Sequence, residues 1–180
     1  MAAPIELDRP LITPDEIEAR VAELSGQINK DYARTGRAVS IVVVLKGAAF
    51  FAVDLMKHLD LPTKMDFLQA HSYSGIESTG EVTLIKDVSM PLAGTDVLIV
   101  EDIVDTGLTA SWLLRHLSGH HPATCKLVTL LDKPSRRIYP VTIDYTGFSI
   151  PDEFVLGYGL DYEEGYRNLP AIYTARPVGE

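Results

Sequence analysis

Three unbroken aliphatic runs do most to limit what this chain can become: SIVVVL (40–45), DVLIV (96–100) and KLVTLL (126–131). A strand with one face in water alternates apolar and polar residues, whereas a run without alternation needs cover on both faces. The first run is followed by GAAFFAVDLMKHLDLP, a helix stopped by Pro62, and the second by GLTASWLLRHLSG, another helix. Between residues 40 and 132 strand and helix therefore alternate, which implies a parallel sheet with right-handed crossovers. KMDFLQAHSYS reads as a further strand, 75–80 as a polar Ser/Gly-rich loop, and EVTLIKDV as a strand beyond it. Ahead of them, Thr13, Pro14 and Glu16 form a capping box, and Ile17, Val21, Leu24 and Ile28 recur on one face of the helix that follows. The expected fold is α/β, a central parallel sheet flanked by helices, as one domain over 1–180 with a core from about 13 to 140. Beyond Pro140 the chain is rich in aromatics, glycine and proline. Residues 141–180, with the N-terminal residues, are expected to form a small hood over the sheet's edge.

The stretch VLIVEDIVDTGLTAS (97–111) drives one of these strands into three carboxylates, Glu101, Asp102 and Asp105. Crowded acids raise one another's pKa, so something cationic or rich in hydroxyls is needed beside them. The strand is expected to end near Val100, which puts Glu101 and Asp102 at the carboxyl end of the sheet, where open α/β folds bind ligands. A helix starting near Thr109 leaves the backbone N–H groups of 105–109 free for an anion. Gly107 permits close approach, and the Thr106 and Thr109 hydroxyls add donors. Two adjacent carboxylates can accept hydrogen bonds from vicinal ribose hydroxyls, leaving Asp105 for proton transfer. The ligand that fits is a ribose carrying a 5′-phosphate. A solvated turn explains any single aspartate here, but not the set. Neither G-x-x-x-x-G-K-[S/T] nor G-x-G-x-x-G occurs, since GYGLDY has Tyr162 where the third glycine belongs.

A net charge of −9 argues against nucleic acid as a partner, because neutralising phosphates takes clustered Lys and Arg. The lone cysteine, Cys125, reads as a small buried strand residue and fits a reducing cytoplasm. The N-terminus has no charged segment leading into an apolar one, and no apolar run is long enough to span a membrane. His120 and His121 are expected in a surface turn with no partner at metal-ligand spacing. Trp112 is expected to serve packing or an interface.

VLIVEDIVDTGLT resembles the signature of the type I phosphoribosyltransferases, which bind 5-phosphoribosyl-1-pyrophosphate. From LKGA at Leu45 to LDYEEGYR at Leu160, the flanking pieces are similar, in order, to one branch, the hypoxanthine-guanine phosphoribosyltransferases. The resemblance implies roles for individual residues. Glu101 and Asp102 would hold the ribose hydroxyls, and Asp105 would sit by purine N7 as general acid or base. The 5′-phosphate would lie in the loop of Asp105, Thr106, Gly107, Leu108 and Thr109. Some members carry Lys where this chain has Leu108, so backbone amides alone would serve that loop here. Lys46 and Gly47, after a cis Leu45–Lys46 peptide, would bind pyrophosphate together with Arg167. Lys133 in LLDKP would donate to purine O6. Phe154, a core residue on composition alone, would stack on the base. The carbonyls of Val155 and Asp161 would face the purine 2-position. Asp161, with Glu101 and Asp102, would hold Mg²⁺. SYSGIESTGEV would be a flexible closing loop hinged at Ser72 and Tyr73.

The implied reaction is Mg²⁺-dependent transfer of a phosphoribosyl group to N9 of hypoxanthine or guanine, in a cytoplasmic homodimer or homotetramer. Three alternatives stay open on the sequence: a transferase for xanthine or a pyrimidine, a non-catalytic sensor of phosphoribosyl pyrophosphate, and a flavodoxin-like binding domain. The first would differ in the hood, the second would normally bring a nucleic-acid-binding surface, and the third would not explain the paired acids.

Overall fold

A computed structural model describes residues 5–72 and 82–177. The elements are β1 (Ile5–Ile12), α1 (Pro14–Tyr32), β2 (Val39–Leu45), α2 (Ala49–Lys57), β3 (Thr63–Ser72), β4 (Val82–Lys86) and β5 (Asp96–Val104). They are followed by α3 (Leu108–Ser118), β6 (Thr124–Asp132), β7 (Tyr145–Ser149), β8 (Val155–Leu156) and β9 (Ile172–Pro177). α1 begins as its sequence requires. The Thr13 amide donates to Glu16 Oε2 at 2.8 Å and the Glu16 amide to Thr13 Oγ1 at 3.4 Å, while Ile17, Val21, Leu24 and Ile28 are all buried.

The six-stranded main sheet has the order β4-β3-β2-β5-β6-β7. β3, β2, β5, β6 and β7 are parallel and β4 is antiparallel to β3, so the sheet is mixed. The aliphatic runs lack alternation because each face has its own cover. Ile41, Val43, Leu98, Val100, Val128 and Leu130 pack with α1 and α2. Val42, Val44, Val97, Ile99 and Leu127 pack with Ala110, Leu113 and Leu117 of α3.

Two expectations need correction. β5 does not end near Val100; it pairs with β6 through Glu101–Thr129, Ile103–Leu131 and Val104–Asp132. Its pairing with β2 does stop, at Val43–Val100, so the two acids lie on a strand whose one neighbour has turned away. The core also does not end near 140, because Tyr145–Ser149 adds parallel to β6 as the sixth strand. The short run YTGFS gives no clear apolar signal, yet Gly147 is required there, since a Cβ would overlap the Leu130 carbonyl of β6. β8 and β9 instead join β1 in a separate three-stranded antiparallel sheet.

Asp66 of β3 ties this frame together. It is 6% exposed and accepts from the amides of Phe67 at 2.7 Å and Met90 at 2.9 Å, and from Ser89 Oγ at 3.0 Å. Burial alone would raise its pKa, but the Met90, Phe67 and Ser89 amides outweigh it and hold the carboxyl well below the usual range. Asp66→Ala strips the half-buried Phe67 and Met90 amides, and Ser89, of their acceptor, and the expected loss is about 1–3 kcal/mol, read as a fall of roughly 2–10 °C in Tm. The sign of the pH effect follows from the depressed value. The contribution is complete above the unfolded carboxylate pKa of about 4 and is lost as pH falls through the lower folded one. Acid melts of wild type and variant should therefore begin to approach one another only below about pH 4.

Among the described residues no helix is long and apolar enough to cross a membrane. Cys125 is half-buried in β6, and burial pushes its thiol up to about 11. Trp112, on α3, is partly buried and packs at the edge of the core on that side of the sheet. His120 is not without neighbours: Asp87 Oδ2 lies 4.0 Å from its Nε2, and His116 stands one helical turn before it.

Candidate active site

The chain visits β2, then β3 on one side, and later β5 on the other. Such a reversal opens a crevice at the carboxyl ends of the two strands that flank it. The crevice is present, with a volume near 240 Å³, and Lys46, Gly47, Glu101, Asp102, Asp161 and Arg167 all line it. Thr109 and His71 line it as well. The peptide between Leu45 and Lys46 is cis, the form expected there. Gly47 packs so closely on the acids that a Cβ in its place would overlap Asp102 Oδ2, and its own carbonyl is covered equally closely by Gly159.

Glu101 is 5% exposed. Burial pushes its carboxyl well above the usual range, and the Asp102 charge beside it adds to the shift. Burial raises Asp102 too, against the Ile103 amide, which donates to Asp102 Oδ1 at 2.8 Å. No cation is bonded to Glu101 among the described residues. The acids are thus stored in a state that a ligand with hydroxyls or positive charge would relieve.

Cations line the opposite wall. Lys46 Nζ lies 2.9 Å from Glu164 Oε2, and Arg167 Nη2 lies 3.3 Å from the same oxygen and 2.8 Å from Asp161 Oδ1. Arg167 also donates to the Gly159 carbonyl at 2.7 Å, while its Nε is buried without a partner among the described residues. Glu164, which sequence reasoning missed, therefore bridges two of the expected pyrophosphate-binding cations.

Asp105 begins the loop that leads into α3. Its carboxylate meets Arg136 Nε at 3.0 Å, and Arg136 also reaches Asp152 at 3.5 Å. Gly107 caps α3 at a φ of 87°, where a Cβ would overlap the Tyr139 carbonyl. The loop's shape is set by residues distant in sequence. The amides of Ile138 and Tyr139 each donate to the Thr106 carbonyl at 2.9 Å, and Arg137 Nη1 donates to the Asp105 carbonyl at 3.0 Å. The amides of Thr106 and Gly107 carry no hydrogen bond among the described residues. Leu108 opens the helix, and its amide reaches only Thr106 Oγ1 at 3.4 Å. Arg136 and Arg137 were legible only as two consecutive arginines after LLDKPS.

Lys133 is 7% exposed and donates to the Glu153 carbonyl at 2.6 Å, one residue from Phe154. Phe154 is 47% exposed and meets Tyr162 edge-on at 5.9 Å, so it is not the core residue that composition suggests. The Val155 side chain is buried in β8. Asp105, Lys133 and Phe154 fall outside the crevice of the acid pair, joined to each other through Arg136, Asp152 and Glu153. Ser72 is the last residue of β3; Tyr73 and the rest of the expected closing loop, to 81, lie outside the described residues.

The mixed sheet flanked by helices, the crevice at its switch point, the acid pair and the glycine-capped loop into α3 are those of a phosphoribosyltransferase domain, and the family model for the phosphoribosyl transferase domain matches residues 13–163. The chain is 47% identical to the hypoxanthine-guanine phosphoribosyltransferase of Mycobacterium avium, over 97% of its own length and 88% of that protein. It is 44% identical to the Bacillus subtilis enzyme of the same name, over 96% of both chains. A crystal structure of a hypoxanthine-guanine phosphoribosyltransferase from Bacillus anthracis superposes with a TM-score of 0.89 at 43% identity, over 96% of this chain and 99% of that one. The chain belongs to the hypoxanthine-guanine phosphoribosyltransferase family.

Proposed function

We propose that this protein transfers the 5-phosphoribosyl group of phosphoribosyl pyrophosphate to N9 of hypoxanthine or guanine, giving IMP or GMP and pyrophosphate in purine salvage. The observation that carries this reading is the pair of buried Glu101 and half-buried Asp102 in the β2/β5 crevice, one short loop from the amides of Thr106 and Gly107, which carry no hydrogen bond among the described residues. An acid pair for hydroxyls, amides for a phosphate and cations for a second anion match the three polar parts of that donor. Relatives at 44–47% identity bearing the name support the base class.

In the reaction the C1′–pyrophosphate bond breaks and an N9–C1′ bond forms. Lys46, the Gly47 amide and Arg167 bind the departing pyrophosphate, and Glu101 and Asp102 fix the ribose. Residues 105–109 hold the 5′-phosphate through backbone N–H groups and the Thr106 and Thr109 hydroxyls. Asp105 takes the proton at purine N7. One of the three donors of Lys133 is occupied by the Glu153 carbonyl, which leaves others for purine O6. Adenine presents a donor at that position and is rejected. Phe154 provides an exposed ring for stacking, and the carbonyls of Val155 and Asp161 read the purine 2-position. Glu101, Asp102 and Asp161 offer only oxygen donors, the set that Mg²⁺ prefers, and would hold an ion there whose charge would offset that of the pyrophosphate. A single half-buried thiol and the lack of a membrane-spanning helix among the described residues are compatible with work in the cytoplasm.

A base panel tests the reading. Purified protein, Mg²⁺ and phosphoribosyl pyrophosphate are mixed separately with hypoxanthine, guanine, xanthine, adenine and uracil, and nucleotide formation is followed by absorbance. Turnover with hypoxanthine or guanine but not adenine is expected. Turnover with xanthine or uracil alone would move the assignment to another base. Tight donor binding with no turnover would make the protein a sensor.

Glu164 supplies a sharper expectation for the pyrophosphate subsite. Its carboxylate competes for Lys46 and Arg167, and exposed ion pairs of this kind are worth about 0.2–1 kcal/mol. Glu164→Gln should therefore lower the KM for phosphoribosyl pyrophosphate by roughly two- to fivefold, with kcat nearly unchanged. A raised KM would mean that Glu164 holds the two cations in place for the ligand.

A further inference from the structure

α3 presents a second cluster of chemistry on the face that covers the sheet opposite α1 and α2, at the far end of the helix from the anion loop. His116 Nε2 lies 2.9 Å from Asp87 Oδ1, and His120 Nε2 lies 4.0 Å from Asp87 Oδ2. One donor atom from each residue can be chosen so that all three lie within 4.8 Å of one another. Asp87 comes from the segment leaving β4, whereas His116 stands in the last turn of α3 and His120 in the turn just beyond it, so separate parts of the chain supply the ligands. None of the three lines the substrate crevice.

The donor chemistry narrows the ligand. Two imidazole nitrogens and one carboxylate oxygen suit a borderline-soft ion such as Zn²⁺, and they suit Mg²⁺ poorly, because Mg²⁺ takes oxygen donors. Tetrahedral Zn²⁺ with bonds near 2.0–2.1 Å holds its ligand atoms roughly 3.3 Å apart. His116 and His120 face different oxygens of Asp87, at 2.9 and 4.0 Å, so rotation of the Asp87 and His120 side chains is what closes the set around one ion. His116, Asp87 and His120 have side-chain exposures of 23%, 37% and 36%, which leaves an open side for a water ligand. His116 is also held in position, since the Trp112 indole stacks on its ring at 4.7 Å and 8°. We infer that Asp87, His116 and His120 form a Zn²⁺-binding site that ties the end of α3 to the segment after β4, separate from the catalytic crevice.

Trp112 is the chain's only tryptophan, so its emission reports on this site alone. The full-length protein, stripped with a chelator, is titrated with Zn²⁺ and separately with Mg²⁺ by calorimetry. It is then titrated with Ni²⁺, a paramagnetic ion with the same ligand preference, while Trp112 fluorescence is recorded. One Zn²⁺ per chain, a raised Tm with Zn²⁺ and quenching by Ni²⁺ but not by Mg²⁺ are expected. His120→Ala and His116→Gln should each weaken Zn²⁺ binding by at least about tenfold and lose the quenching at the same Ni²⁺ concentration. Hypoxanthine turnover should be unchanged in both, which also reports that they are folded. If removal of His116 upsets the Trp112 stack, His120→Ala, just beyond the helix, decides alone. Equal Zn²⁺ affinity in wild type and His120→Ala would place the ion on the active-site acids or Cys125 and overturn the inference. Absence of Zn²⁺ binding to wild type would also overturn it.

Discussion

Asp105→Asn is expected to lower kcat with hypoxanthine by about 10²–10⁴-fold, the range for loss of a positioned general acid or base. The substitution keeps the shape of the side chain and an oxygen facing Arg136 Nε, now at 3.0 Å from the carboxylate, but it removes the proton acceptor. Little else should change. Asp105 and Arg136 have side-chain exposures of 39% and 46%, and such pairs contribute about 0–1 kcal/mol, so Tm should move by no more than roughly 4 °C. The KM for phosphoribosyl pyrophosphate should stay close to wild type, because the proposed phosphate site relies on backbone amides and not on the Asp105 carboxylate. Steady-state kinetics with a melt alongside checks all three quantities. A fall in kcat smaller than about tenfold would take proton transfer away from Asp105.

Gly47→Ala should lower kcat/KM for phosphoribosyl pyrophosphate by about 10²-fold or more. The new Cβ overlaps Asp102 Oδ2, and the loop cannot retreat because Gly159 packs equally tightly on the Gly47 carbonyl. Asp102 must then turn away, losing its alignment with Glu101 and with it the proposed ribose contact, and misplacement on the scale of 1 Å carries this order of cost. Overpacking should also lower stability by about 1–3 kcal/mol. Gly26 provides the control. It lies in α1 with open space around it, so Gly26→Ala should leave turnover intact and raise stability by about 0.5–1 kcal/mol. Normal donor kinetics in Gly47→Ala would mean that the loop and Asp102 can part without loss.

Much of this was legible in sequence because the signals are local. The aliphatic runs, the capping box at Thr13 and the spacing of Glu101, Asp102 and Asp105 each depend on a few consecutive residues. Strand limits were harder to read. Acids read as the end of a strand, but the Glu101 and Asp102 backbones continue β5 because β6 still pairs there. YTGFS lacks an aliphatic run, yet it completes the sheet because β6 has an open edge beside it. The histidine cluster escaped because Asp87 is remote from α3 in the chain, even though His116 and His120 stand four apart.

The sequence by itself determined which strands are buried, where the first helix begins, and that three acids and a glycine meet at one strand-to-helix junction. Only the tertiary structure decided what those groups touch. It set Gly47 against Asp102, Arg136 against Asp105, and Glu164 between Lys46 and Arg167. The physical reason is range. Helix caps and hydrophobic periodicity come from bonds and faces within a few residues, whereas a carboxylate's partner is whichever group the packing of distant segments brings within about 3 Å.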